Sequence, residues 1–147
     1  MILEWIQRGI GFDRALLVLC SPQKDRIVGR CSIGPASDEM SGQLDLPNDP
    51  RENLFAKSFV EKEPFFVRNI DADAFRPWVP ACVRDAFKAR SFVLSPIHSQ
   101  GNVIGFFYAD KAVTDLLITE DDYQSFLHFA IQANIALERL MTMRARK

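Results

Sequence analysis

The sequence has no long hydrophobic run. No apolar stretch reaches the ~20 residues an α-helix needs to cross a bilayer, which excludes a membrane-spanning helix. The start, Met1–Arg8, has no basic region followed by an apolar one, so it does not read as a secretory signal. Neither charge sign is in surplus: 18 Lys and Arg stand against 19 Asp and Glu, a net charge of −1. Nucleic-acid binding usually needs a basic patch or stripe, so no such partner is expected. The one basic cluster, Arg144, Arg146 and Lys147, reads as a solvated helix end. Cysteine is sparse. Cys20, Cys31 and Cys82 are odd in number and form no CxxC pair, which argues against a disulfide framework or a zinc site. Reduced thiols in a cytoplasmic protein fit best. The two histidines, His98 and His128, have no carboxylate or cysteine at ligand spacing, so no metal is expected. There is no G-x-S-x-G nucleophile motif, internal repeat or low-complexity segment. Asp45, Asp49, Glu52, Asp71 and Asp73 read as caps and solvated loop residues rather than paired catalytic carboxylates.

What is present is a single ordinary globular domain. A chain of 147 residues suffices for one core and not for two, and 48% of it is hydrophobic. Ile2, Leu3, Ile6 and Ile10 recur at helical spacing, so residues 1–10 read as a helix broken by Gly9 and Gly11. The apolar run Ala15–Cys20 reads as a strand buried on both faces. Arg26–Ile33 follows a polar turn and completes a hairpin, with Ile27, Gly29, Cys31 and Ile33 on one face. A short strand is expected over Gln43–Leu46. A helix is expected over Arg51–Glu61, with Asp49 as N-cap and Pro50 at the first helical position. Phe65–Arg68 reads as a short strand, and Ala81–Lys88 as a short helix after a loop.

Ser91–Ser99 and Val103–Asp110 form the clearest hairpin, with Gly101 supplying the positive φ of its turn. Pro96 within the first arm calls for an edge or a bulge. Thr119 caps a last helix over 119–143, and Glu120, Asp121 and Asp122 suit its N-terminal dipole. Strands and helices do not alternate strictly. The expected fold is therefore α+β: an antiparallel sheet flanked by helices, with the N- and C-terminal helices packed together. An order that opens and closes on helices also fits a module within a longer protein.

The segments 11–18 (GFDRALLV), Phe65-Phe66-Val67-Arg68-Asn69, and the hairpin from Ser91 through Gly101-Asn102-Val103-Ile104-Gly105 to Tyr108-Ala109-Asp110 resemble the GAF domain family. The resemblance runs from about Ile10 to Leu140. Arg30–Gly34, Leu54-Phe55 and Tyr108-Ala109-Asp110 are further similar to the GAF domains that follow an HDOD domain in bacterial signalling proteins. The resemblance implies a regulatory or sensor module that binds a small molecule between sheet and loops, dimerises, or does both. It also implies a partner domain in the full-length protein. It names no cofactor: the cyclic-nucleotide signature is missing, and no flanking motif supports bilin attachment at Cys82.

The ligand-binding residues expected on this reading are Phe66, Phe75, Trp78 and Cys82 as apolar wall and Arg30, Ser91 and Ser95 as polar groups. Two alternatives stand beside it. One is a thiol-dependent redox enzyme of the free methionine sulfoxide reductase type. The other is an interaction module with no ligand. The last helix carries apolar residues over more of its circumference than one sheet can bury. That excess predicts a homodimer through the terminal helices.

Overall fold

A computed structural model describes residues 2–35 and 37–145. Met1, Ala36 and the basic-tail residues Arg146 and Lys147 lie outside the described residues, as do the side chains of Ile2, Met141, Arg144 and Ala145. Helix α1 (Ile2–Glu4) runs on in a π-helical turn, Trp5–Ile10. Gly11 ends it in the left-handed conformation at φ 105°. Gly9 does not break the helix. It sits inside the π turn under the Trp5 ring, where a Cβ would lie 2.4 Å from a ring carbon.

Six strands follow: β1 (Arg14–Cys20), β2 (Arg26–Ile33), β3 (Asp45–Pro47), β4 (Phe65–Val67), β5 (Phe92–Ser99) and β6 (Asn102–Asp110). They form one sheet in the order β3-β2-β1-β6-β5-β4, every pair antiparallel. The expected α+β architecture is thus observed. The β5–β6 turn places both Gln100 (φ 53°) and Gly101 (φ 82°) at positive φ, the conformation that matches strand twist. β4 pairs only with Phe92–Leu94, so Pro96, with no N–H to donate, faces a local edge beside a bulge at Ile97/His98.

Two expected elements move. Residues Met40–Gln43 form a helical turn, α2, and the strand begins at Asp45. Helix α3 (Leu54–Glu61) starts three residues later than the expected Arg51. Asn53 is its N-cap, its side chain accepting from the Ala56 N–H at 2.9 Å. Asp49 instead holds a turn, accepting from the Arg51 N–H. The short helix expected at 81–88 is a π-helical turn, Cys82–Ala86, preceded by a 3₁₀ turn, Arg76–Trp78. Helix α4 (Glu120–Ala145) begins as expected: Thr119 Oγ1 accepts from the Asp122 N–H at 3.0 Å, and Asp122 accepts from the Thr119 N–H at 2.9 Å.

Strand alternation divides the interior in two. The loop face buries Leu16, Val18, Phe92, Leu94, Phe106 and Tyr108 under α2, α3 and the 69–90 loop. The helix face buries Ala15, Val93, Ile97, Phe107 and Ala109 under Leu3 and Ile6 of the N-terminal helix and Phe126 and Ala130 of α4. β2 does not keep one apolar face. A bulge leaves Arg30 unpaired between Gly29↔Val18 and Cys31↔Leu17. Ile27 therefore packs into the loop-face core and Ile33 against the helix-face core.

Candidate functional site

The loop face is where the expected ligand residues would have to converge. The sheet supplies Phe92, Phe106 and Tyr108, α3 supplies Phe55, and the π turn ends on Phe87; all five are 0–2% exposed. Their rings interlock around Tyr108. Phe92 lies 5.4 Å from it, Phe87 5.7 Å and Phe55 6.4 Å, centroid to centroid. Aromatic packing at these distances is close contact, so side chains occupy the space between sheet and loops.

Of the seven expected ligand residues, the structure gathers three. Phe75, Trp78 and Cys82 are half-buried against the loop-face core. Trp78 is covered by Lys57, whose Nζ stands 4.2 Å from the ring centroid. Burial pushes the Cys82 thiol up to about 11. The others are elsewhere. Phe66 faces the opposite side, 4.9 Å from the Tyr123 ring of α4, with the Arg68 guanidinium 4.5 Å from its centroid. Ser95 is buried between Val93 and Ile97 in the register that faces the helices. Ser91 lies just before β5, and Arg30 is exposed at the bulge. Phe66 fails to join the others because neighbouring strand residues point to opposite faces, and Phe65 is the one that meets the loop face.

One cluster had no local signal in the sequence. Arg14 and Asp110, paired across β1 and β6, form a buried bidentate ion pair: Nε to Oδ1 at 2.9 Å and Nη2 to Oδ2 at 2.8 Å. Arg14 Nη2 also donates to the Phe87 carbonyl at 2.7 Å. The Tyr108 hydroxyl donates to Asp110 Oδ2 at 2.6 Å, and the Ala112 N–H to Oδ1 at 3.2 Å. Burial and the Asp110 carboxylate hold the Tyr108 phenol well above its ordinary value. For Arg14, the Asp110 hydrogen bond and charge outweigh the cost of burial and raise its pKa. The two residues are 96 positions apart, so only the fold brings them together.

Further concave and apolar surfaces lie along the terminal helices. An apolar groove of about 580 Å³ lies between the β1–β2 half of the sheet and α4, lined by Leu3, Leu17, Ile33, Phe107, Ala133 and Leu137. A cleft of about 610 Å³ separates Trp5 from Phe129 and His128. Trp5 on this cleft (67%) and Ile131 (56%), Ile135 (43%), Leu140 (59%) and Met143 (61%) along α4 are exposed, as are Val113, Leu116 and Leu117 in the connection before α4. Cys31 is exposed and Cys20 half-buried, its thiol raised by burial against a partial pull from Lys24. Among the described residues no three His, Cys, Asp or Glu side chains could together hold a metal ion. Among them too, no helix is long and apolar enough to cross a membrane.

The sequence model of the GAF domain family matches residues 1–137. None of the curated proteins matches the chain. Among solved structures, residues 122–287 of a methyl-accepting chemotaxis protein superpose with a TM-score of 0.78 at 24% identity, covering 98% of this chain and 88% of that one. The second GAF domain of DevS from Mycobacterium smegmatis superposes at 0.74 and 15% identity, covering 99% and 94%. Free methionine-R-sulfoxide reductase from Neisseria meningitidis, in complex with its substrate, superposes at 0.66 and 18% identity, covering 95% and 76%. At these identities the likeness is one of fold.

Proposed function

The chain belongs to the GAF domain family, and from that premise we propose that it is a non-catalytic regulatory module that acts by self-association through its terminal helices. The observation that carries this reading is the apolar surface of those helices. Trp5, Ile131, Ile135, Leu140 and Met143 stay exposed after the sheet has taken its share of α4. Scattered exposed apolar residues are ordinary. Four along one 26-residue helix offer apolar area to a second copy. A two-fold arrangement would use the same patch twice and leave nothing open for further growth.

Small-molecule sensing is the weaker half of the family's repertoire here. The space between sheet and loops holds the rings of Phe55, Phe87, Phe92, Phe106 and Tyr108, and the expected ligand residues divide between the two faces. Thiol chemistry is disfavoured at Cys82 and Cys20, because burial keeps both thiols protonated and the thiolate is the reactive form. A partner domain in the full-length protein, of the HDOD kind suggested by the sequence, would read the dimer's geometry.

Light scattering over a concentration series tests the reading. Twice the mass of one chain at micromolar concentration is expected, and a monomer at every concentration would overturn it. Two further assays separate the alternatives. A change in Trp78 fluorescence with metabolite pools would restore the sensor reading. Turnover of free methionine sulfoxide with a thiol donor, lost on Cys31→Ser, would establish the redox one.

A further inference from the structure

We propose that the Arg14–Asp110–Tyr108 cluster is a coupling device: it joins the loop face of the sheet to the roots of both terminal helices, so that the two sides loosen together. Asp110 stands where β6 gives way to the connection into α4, and its carboxylate fixes the Ala112 N–H at the start of that connection. Its backbone carbonyl accepts from Asp13 N–H at 2.9 Å, in the link between the N-terminal helix and β1. Asp13 in turn accepts from the N–H and hydroxyl of Thr114, at 2.7 and 2.8 Å, within the α4 connection. The roots of both helices are therefore tied to each other and to Asp110, one through its backbone carbonyl and the other through its carboxylate.

The opposite side is reached through Arg14. Its guanidinium spans from Asp110 to the Phe87 carbonyl, the end of the π turn that roofs the loop face. Tyr108 completes the link, with its hydroxyl on Asp110 and its ring between Phe87 and Phe92. Moving the roof away from the sheet takes the Phe87 carbonyl off Arg14 and opens the ring stack on Tyr108. A buried guanidinium or carboxylate that loses a partner must find another, so a shift at either end costs free energy at the other. Coupling of this kind is reciprocal. The inference rests on the regulatory reading, but its test reads local opening and not subunit number, so the two fail separately.

Hydrogen exchange read by mass spectrometry on the whole chain is the test. Arg14→Lys keeps the charge and loses the planar fork. Tyr108→Phe keeps the ring and removes only the hydroxyl, and so reads the cluster even if the lysine variant fails to fold. In either variant, residues 82–90 and 111–119 are expected to exchange about tenfold faster together, while β2 stays protected. Ile27→Val, a loop-face core change remote from the cluster, should not produce that pattern. From the other end, Asp13→Ala should speed exchange in 82–90, although Asp13 makes its contacts at the helix roots. Faster exchange confined to the neighbourhood of each substitution would overturn the proposal, as would the same pattern from Ile27→Val.

Discussion

Asp110 is wholly buried and carries its charge on hydrogen bonds from Arg14, Tyr108 and Ala112. Such a group is stable only while its partners stay. Asp110→Ala takes the carboxylate away from the buried Arg14 guanidinium and is expected to cost about 3–5 kcal/mol in urea unfolding. Tyr108→Phe removes one bond to a charged acceptor and is expected to cost about 1–3 kcal/mol. Cys82 and Tyr108 also lower stability toward alkaline pH. The folded state holds the Cys82 proton up to about 11 and the Tyr108 proton well above its ordinary 10.0. The unfolded chain releases them earlier, so it binds fewer protons over that window and stability falls as pH rises. The Cys82 contribution is complete below its ordinary 9.0 and fades toward about 11. Melting temperature should drop across that range, and Cys82→Ala should blunt the drop. A thiol reagent near neutral pH should label the exposed Cys31 before Cys82.

Helix α3 shows how an element's start is decided. Pro50 preceded by Asp49 is a good N-terminal signature, yet the cap that forms is Asn53, which also donates to the Pro47 carbonyl. Asn53→Ala should therefore cost about 1 kcal/mol, whereas Asp49→Ala, at an exposed turn, should change stability little. The opposite outcome in thermal melts would restore the earlier start. Helix α4 is anchored in a different manner. Burial works against the Asp122 carboxylate, but hydrogen bonds from the Lys111 ammonium and the Thr119 N–H outweigh it and lower its pKa. Asp122 therefore contributes stability that is lost as pH falls through that lowered pKa. Farther along, Asn134 accepts from the His98 N–H, on the stretch of β5 that the short β4 leaves uncovered, and Glu138 accepts from the Gln100 N–H in the β5–β6 turn. These side chains explain why polar residues interrupt the inner half of an otherwise apolar helix.

The whole molecule has one sheet, two faces and unequal covers. α3 and the 69–90 loop fill the loop face with aromatic rings, while α4 and the N-terminal helix leave the β1–β2 half of the other face as a groove. If a second copy covers the exposed side of α4, charge placed there should separate the copies without unfolding them. Ile131→Asp combined with Ile135→Asp is expected to give a monomer by light scattering with near-unchanged unfolding, because both positions are already solvent-exposed in the single chain. A dimer that survives both changes would place the contact elsewhere on the molecule.

The sequence by itself determined the order of the main strands and helices and the fold class. Apolar runs, the Gly101 turn, the Thr119 cap and the helical spacing of Ile2, Leu3, Ile6 and Ile10 are local signals, and short-range sterics and hydrogen bonds fix what they mean. It also pointed to the apolar excess of the last helix, since a helical wheel needs no partner to be drawn. Tertiary structure alone decided which face each side chain serves. A single bulge at Arg30 sends Ile27 and Ile33 to opposite cores, and the register of β4 sends Phe66 to α4 instead of to the loop face. It alone joined Arg14 to Asp110, because no periodicity links residues separated by 96 positions until two strands pair. The expected ligand residues were chosen by segment, and a pleated sheet sorts residues by parity.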